Sequence, residues 1–195
     1  MQNLELFVNS HAATVRNVGL GDFAIFVPQT TAGYTANPGS GDNTSTATAF
    51  VCYGLGSCVA LILADPGTRI LAMAHVVLPH PPGDIPVPPL TRYATSAPSF
   101  LVERMVARGA RQDRLVAWLV GGAQVLALKQ TEPIGTRNVE VLRQELHRMG
   151  IPVIGEAVGG TFGRTLYCYP QRGLLVVSRG GQRHEVLHDG SLFGL

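Results

Sequence analysis

Lysine is almost absent from this sequence, and charged residues of every kind are sparse. Lys129 is the single lysine beside fourteen arginines, charged residues make up 14% of the chain, and the formal net charge is +2. The arginines are scattered and form no block of like charge, so we expect no nucleic-acid partner. The length of 195 residues suits a single domain over 1–195 that is large enough to bury a core.

Cysteine is also scarce. Cys52, Cys58 and Cys168 are the three in the chain, and an odd number without a C-x-x-C pair argues against a disulfide framework or a structural zinc site. Such thiols suit a reducing, cytoplasmic compartment. No apolar run approaches the roughly 18 residues that a membrane helix needs, and the N-terminus lacks the regions of a signal peptide. We therefore expect no membrane insertion.

Large side chains are scarce in residues 28–48, where threonine, glycine, asparagine, serine, proline and alanine dominate. This composition cannot bury enough apolar surface to offset the entropy lost on ordering, which predicts a flexible insertion. Residues 180–195 are predicted to be a short tail. They contain His184 and His188, whose i, i+4 spacing alone is too little to indicate a metal site.

Two apolar runs surround a turn in the first half of the chain. VALILA (59–64) and RILAMA (69–74) flank DPGT (65–68), a pattern typical of a β-hairpin. A loop of residues 65–68 places Cys58 directly opposite His75. Directly opposed residues have Cβ atoms about 4.5 to 5.5 Å apart on one face, so this register predicts a thiol and an imidazole within reach of each other.

A thiol beside an imidazole is the pair that cysteine-dependent catalysis requires, because the base lowers the pKa of the thiol and then carries a proton to the leaving group. We therefore consider Cys58 a candidate nucleophile and His75 a candidate base, with no metal or organic cofactor required. Gly54 and Gly56 leave bare backbone nearby, and N–H groups of Gly56 and Ser57 are candidate oxyanion donors. The alternative is that Cys58 is a small buried hydrophobe, His75 a hydrogen-bonded core histidine, and the glycines an ordinary turn.

The remaining pattern predicts two helices and about eight strands. The helices are expected from about residue 97 to the glycine at 109 and over 136–149, each with an apolar stripe. Besides the hairpin, strands are expected at 18–27 with a bulge near Gly21, and at 49–53, 115–120, 151–157, 164–169 and 173–178. Because hairpins make most of the connections, the expected fold is an α/β sandwich of mixed, largely antiparallel strands with two main helices.

Five short motifs recur in the order of a known protein family. They are GLGSCV (54–59), AHVVLP (74–79), GGA (121–123), IGTRNV (134–139) and GGTFGR (159–164). In these motifs the chain resembles the CheD family of chemoreceptor glutamine deamidases. The resemblance implies the same α/β sandwich and a hydrolase that converts particular glutamines of methyl-accepting receptors to glutamate. It places Cys58 and His75 on the family's catalytic positions.

Two positions depart from the family pattern. A third catalytic position, six residues before the cysteine, is threonine in the family and Cys52 here, which bears on how His75 is oriented. The segment 93–97 usually carries an aspartate where Thr95 stands, which bears on the entry into the first helix.

The resemblance also implies partners. These are the cytoplasmic helices of methyl-accepting chemoreceptors and a CheC-type phosphatase. A weakly active or inactive CheD-like binding module, which regulates such a phosphatase or docks on receptors, is the alternative from another class. A thiol-dependent methylesterase or amidase with other substrates would use the same residues.

Overall fold

The computed structural model describes residues 14–28, 49–83, 88–125, 133–179 and 183–193. These residues form two α-helices and ten strands. The helices are α1 (Ala97–Val106) and α2 (Ile134–Arg148). The strands are β1 (Val15–Asn17), β2 (Phe23–Phe26), β3 (Ala49–Leu55), β4 (Val59–Asp65), β5 (Ile70–Val76), β6 (Val116–Gly121), β7 (Val153–Val158), β8 (Arg164–Tyr169), β9 (Leu174–Arg179) and β10 (Arg183–Asp189).

The strands form two five-stranded sheets. Sheet I has the order β1-β3-β8-β9-β10, and sheet II has the order β2-β5-β4-β6-β7. The β1–β3 and β6–β7 pairs are parallel, whereas the other neighbours are antiparallel. This arrangement confirms the predicted α/β sandwich of mixed, largely antiparallel strands with two main helices.

Sheet II is the middle of three layers. One apolar cluster joins sheet II to the helices and includes Leu61, Leu63, Leu101 and Leu142. A second cluster lies between the sheets and includes Ala60, Ile62, Phe50, Leu166 and Trp118. Because β4 and β6 are covered on both faces, their sequences are continuously apolar instead of alternating.

Both helices lie close to their predicted positions. α1 follows Ser96 and has Pro98 in its first turn, where a missing backbone N–H leaves no helical hydrogen bond unmade. α2 buries Val139, Leu142 and Leu146. These stripes hold the helices on the outer face of sheet II.

The register of the β4–β5 hairpin differs from the predicted one by two residues. Ala60, instead of Cys58, lies opposite His75, and Asp65 pairs with Ile70. The prediction of a directly opposed Cys58–His75 pair is therefore wrong. A shift of two residues leaves every side chain on its predicted face, so Cys58 and His75 become diagonal neighbours across the hairpin.

Contacts of Asp65 explain this register. Its buried carboxylate accepts hydrogen bonds from the backbone N–H groups of Gly67 (2.8 Å) and Arg111 (2.9 Å) and from the guanidinium of Arg114 (2.7 Å). These bonds hold Asp65 in the strand instead of the loop. Arg69 closes the turn with a left-handed φ of 58° while its N–H donates to the Asp65 carbonyl at 2.8 Å.

The predicted strand over 18–27 is also wrong in detail. Within it, the strand is confined to Phe23–Phe26 (β2) of sheet II, and β1, which precedes the predicted range, belongs to sheet I. Residues 18–22 cross between them: Val18 N–H donates to Val51 O of sheet I, and Gly21 N–H donates to His75 O of sheet II, both at 2.9 Å. The phase shift in the sequence marks this change of sheet.

The two remaining predicted segments have different outcomes. Within the segment predicted as a tail, residues 183–189 form β10 at the edge of sheet I, paired with β9. Apart from Pro28, the predicted insertion 28–48 lies outside the described residues. None of the helices in the described part of the chain is long and apolar enough to cross a membrane.

Candidate active site

Cys58 lies where the chain passes from sheet I to sheet II. β3 ends at Leu55 and β4 begins at Val59, and Gly54 takes a positive φ of 64° that a side chain would disfavour. Cys58 is half-buried and opens on a groove of about 490 Å³. The groove is lined by Gly54, Gly56, Ser57, Cys58, Ala123, Gln124, Val125, Pro133, Ile134 and Gly135.

His75 lies on β5 with only 3% of its surface exposed. Its Nδ1 is 3.1 Å from the carbonyl oxygen of Val18. A carbonyl oxygen can only accept, so Nδ1 carries the proton and Nε2 carries the lone pair. Nε2 is buried and has no hydrogen-bond partner among the described residues. The fold therefore presents the imidazole as a neutral tautomer with a free basic nitrogen.

The diagonal relation of Cys58 and His75 puts both on the face of sheet II that meets sheet I. Diagonal neighbours on antiparallel strands have Cα atoms about 7 to 8 Å apart, which long and aromatic side chains span. Residues 71 and 73, which alternate with His75 along β5, pack in the cluster between the sheets, and Cys58 packs against the same cluster. Thiol and imidazole thus share one environment despite the changed register.

Cys52 reaches the same carbonyl group as His75. It is fully buried on β3, and its Sγ donates to Val18 O at 3.5 Å. Burial, with smaller contributions from Asp22 and Cys58, raises the pKa of the Cys52 thiol far above its ordinary value. Cys52 therefore remains a protonated donor, and its connection to His75 runs through the Val18 carbonyl.

Burial also determines the protonation of the candidate pair. It raises the pKa of the Cys58 thiol, against the opposing effects of the Arg92 charge and the Cys58 backbone N–H. It lowers the pKa of His75, against the effect of the hydrogen bond to Val18. The expected lowered thiol pKa is therefore not what this environment produces. The resting pair consists of a neutral thiol and a neutral imidazole.

The backbone donors near the thiol are not equivalent. Gly56 N–H donates to Gly54 O at 2.8 Å, so this donor is engaged in the structure, and its role at an oxyanion stays a prediction. Within the described part of the chain, no backbone carbonyl accepts from Ser57 or Cys58. The N–H groups of Ser57 and Cys58 are therefore the available donors beside the thiol.

The glycine pair after β6 holds this turn in place. Gly122 N–H donates to Cys58 O at 2.8 Å, and Ala123 N–H donates to Gly56 O at 2.7 Å. Gly121 has a φ of 119°, and a Cβ there would collide with the Cys58 carbonyl oxygen. The GGA motif therefore packs backbone against backbone on the turn that carries the thiol.

Sequence reasoning left Asn138 out of the candidate site, although it belongs to the IGTRNV motif at the start of the second helix. Its amide Nδ2 donates to Ser57 O at 2.8 Å and to Val77 O at 3.0 Å. It thereby joins the backbone beside Cys58 to the strand end beyond His75.

Neither Thr95 nor His188, which were named from the sequence, lines the groove beside the thiol. Thr95 precedes α1, and its N–H donates to Pro79 O at 3.2 Å. The ring of His188 lies 4.9 Å from that of Trp118. No group of three or more metal-ligating side chains occurs among the described residues.

We expect an alkylating reagent to modify Cys58 faster than Cys168 in the native protein. Cys58 is half-buried and borders the groove, whereas Cys168 is fully buried and its pKa is raised further by burial. The rates are measured near neutral pH by mass spectrometry of peptides after timed exposure to iodoacetamide. Equal rates for the two cysteines in the native protein would contradict this description of the site. In denaturant, where both thiols are exposed, the two rates should be equal, which serves as the control.

Comparisons with known proteins identify the family. The CheD family model, described as CheD chemotactic sensory transduction, matches residues 77–179. A relative from Symbiobacterium thermophilum, named a probable chemoreceptor glutamine deamidase CheD, is 44% identical over 70% of this chain and 86% of its own length. A Geobacillus kaustophilus relative of the same name is 40% identical over 66% and 81%, respectively.

A third relative covers more of the molecule. The Thermotoga maritima protein named chemoreceptor glutamine deamidase CheD is 34% identical over 171 residues, which are 87% of this chain and 96% of that protein. On the family match and these identities, this chain belongs to the CheD family.

Proposed function

We propose that this protein is a chemoreceptor glutamine deamidase that acts on the cytoplasmic part of methyl-accepting chemoreceptors. It hydrolyses the side-chain amide of specific glutamines to a carboxylate and releases ammonia, with Cys58 as nucleophile and His75 as base. The names of the relatives support the reaction. The observation that carries the mechanism is the buried, unpartnered Nε2 of His75 on the sheet face shared with Cys58.

The first half of the reaction forms a thioester. His75 Nε2 accepts the thiol proton as Cys58 Sγ attacks the carboxamide carbon, because both groups are neutral at rest. The N–H groups of Ser57 and Cys58 stabilise the oxyanion that develops on the carboxamide oxygen. The protonated His75 then donates to the amide nitrogen, the C–N bond breaks, and ammonia leaves.

The second half regenerates the thiol. Water attacks the thioester carbon while His75 Nε2 accepts one of its protons. The C–S bond breaks, His75 returns its proton to the Cys58 sulfur, and the product leaves as a carboxylic acid that loses its proton to solvent to become the glutamate carboxylate. Throughout both halves the hydrogen bond from Nδ1 to Val18 O holds the ring and stabilises the imidazolium that forms transiently.

Cys52 should orient His75 only indirectly, since both donate to the Val18 carbonyl. A hydroxyl is a stronger hydrogen-bond donor than a thiol, so Cys52→Thr is expected to keep or raise kcat. Cys52→Ala is expected to lower kcat by no more than about tenfold, because it loosens the base without removing it. Steady-state kinetics on receptor fragments measure both variants.

Cys168→Ala provides the matched control for the Cys52 variants. It removes a thiol from the same cluster between the sheets and leaves the Val18 carbonyl with both of its donors. If Cys52→Ala, Cys168→Ala and wild type all have the same kcat, Cys52 contributes to packing and does not orient His75.

Incubation of the purified protein with receptor cytoplasmic fragments tests the proposed function directly. Mass spectrometry of the receptor peptides detects conversion of glutamine to glutamate, and an enzymatic assay detects the released ammonia. We expect both signals, at specific glutamines. Binding without either signal would contradict the enzyme and support a CheD-like module that docks on receptors or on a CheC-type phosphatase.

A further inference from the structure

Asn138 occupies a central place between the nucleophile and the base. Its side chain is completely buried and its Nδ2 donates to Ser57 O at 2.8 Å and to Val77 O at 3.0 Å. Ser57 directly precedes Cys58, and Val77 follows His75 by two residues. One amide group therefore spans the two backbone segments on which the proposed function depends.

Hydrogen bonding explains why an amide is needed at this point. The pairing of β4 with β5 ends at Val59 and Val76, and beyond it the carbonyl groups of Ser57 and Val77 are both acceptors that cannot bond to each other. A carboxamide nitrogen supplies two N–H donors from one atom, whereas a hydroxyl supplies one and a carboxylate none. Asn138 therefore continues the connection between the strands where the sheet stops.

The orientation of the amide follows from the same chemistry. If the amide were rotated so that Oδ1 and Nδ2 exchanged places, Oδ1 would lie against two carbonyl oxygens, which is repulsive. In the observed orientation, Oδ1 is buried without a hydrogen-bond partner among the described residues. A buried unpaired oxygen is unfavourable, and leucine, similar in size, would fill the space without one. Packing alone therefore does not account for Asn138.

The start of α2 is placed so that Asn138 can reach both carbonyl groups. A Cβ on Gly135 would lie 2.6 Å from Gly122 O, so the first turn of α2 packs its backbone against the GGA segment. That segment is bonded to the carbonyls of Gly56 and Cys58. The helix and the turn that carries the thiol thus form one assembly, in which Asn138 lies one turn beyond the contact.

We propose that Asn138 is a positioning residue for the deamidation reaction, an inference that rests on the proposed function. Its two hydrogen bonds set the distance between the Ser57–Cys58 backbone, which borders the groove, and the strand that carries His75. Loss of these bonds lets the thiol move relative to Nε2 while the groove that receives the glutamine is unchanged. The residue should therefore affect kcat and the reactivity of the thiol more than KM.

Asn138→Asp tests the two donors with little change in shape, and Asn138→Ala tests them without adding a charge if the aspartate variant fails to fold. We expect kcat to fall by about a hundredfold, the effect of a misplacement of about 1 Å, with little change in KM. Asn138→Gln, which keeps the carboxamide, should recover part of the loss. Leu142→Ala is the control, because Leu142 is buried one turn further along the same helix and packs in the cluster between sheet II and the helices.

The rate at which iodoacetamide alkylates Cys58 between pH 5 and 8 gives a readout that needs no receptor. Because His75 Nε2 accepts the thiol proton as the sulfur is alkylated, the rate at each pH should be lower in Asn138→Ala than in wild type. The proposal for Asn138 is overturned if Asn138→Ala matches Leu142→Ala in kcat and alkylation rate at equal melting temperatures. If Cys58 of the wild-type protein is alkylated rapidly but the protein does not deamidate receptors, the proposed function is overturned instead.

Discussion

Cys58→Ala is expected to abolish deamidation while the protein stays folded. The substitution removes the sulfur that forms the thioester in the proposed mechanism, and loss of a nucleophile that acts as a unit with its base typically lowers kcat by about a millionfold. The side chain is small and half-buried at a turn, so we expect a melting temperature near that of wild type. Single-turnover assays on receptor fragments and thermal unfolding measure the two quantities.

Cys168→Ala is the comparison for Cys58→Ala. Cys168 is fully buried on β8, so its loss should lower the melting temperature more than the loss of Cys58 and leave the rate almost unchanged. Wild-type turnover by Cys58→Ala would refute the cysteine mechanism and leave the receptor reaction in need of another nucleophile.

His75→Asn is expected to lower kcat by about a hundredfold to ten-thousandfold, the range for removal of a general acid–base group. The asparagine amide can still donate to Val18 O as Nδ1 does, but it offers no base at the position of Nε2. His75→Ala removes both functions and should be slower still or less stable. Comparison of the two variants separates proton transfer from orientation.

The pH dependence of kcat/KM gives the second signature of His75. Burial disfavours the imidazolium and lowers the pKa below its ordinary value of 6.5, so the active neutral form should predominate at pH 6.5 and above. In wild type, activity should therefore fall only as the pH decreases through a value below 6.5. His75→Asn should show no such decrease. An acid limb centred above pH 6.5 would contradict the buried, neutral imidazole.

Unfolding must be separated from this acid limb. The folded state takes up the His75 proton at a lower pH than the unfolded chain does, so the contribution of this group to stability is present above pH 6.5 and is lost as the pH falls. His188, whose pKa burial also lowers, acts in the same direction. Circular dichroism at each pH shows whether the protein is folded where its activity is lost.

The β4–β5 hairpin shows which features of the site can be predicted from local sequence and which cannot. Apolar runs and turn residues correctly indicate two paired strands with Cys58 and His75 on one face. The register was wrong by two residues because Asp65 is held in the strand by Arg111 and Arg114, which lie more than forty positions away in sequence. Rules that use only neighbouring residues cannot predict a contact of this kind.

The hydrogen-bond partners of the site were beyond sequence reasoning for a similar reason. The carbonyl that orients His75 belongs to Val18, on a crossover between sheets that was predicted as part of one strand. Asn138 reaches Ser57 and Val77 across separations of 81 and 61 residues. Both contacts depend on how the layers pack, and the sequence marked Asn138 only as a member of a motif.

What this sequence determined by itself is the two helices, most of the strands, the class of fold and the candidate pair, because periodicity, turn composition and ordered motifs are local properties. The tertiary structure alone decided the protonation and connections of that pair. Burial between two sheets raises the pKa of one group and lowers that of the other, and burial is a property of the packed layers. The free Nε2 of His75 likewise depends on packing, because the Val18 carbonyl accepts a hydrogen bond from Nδ1 and thereby keeps the proton on that nitrogen.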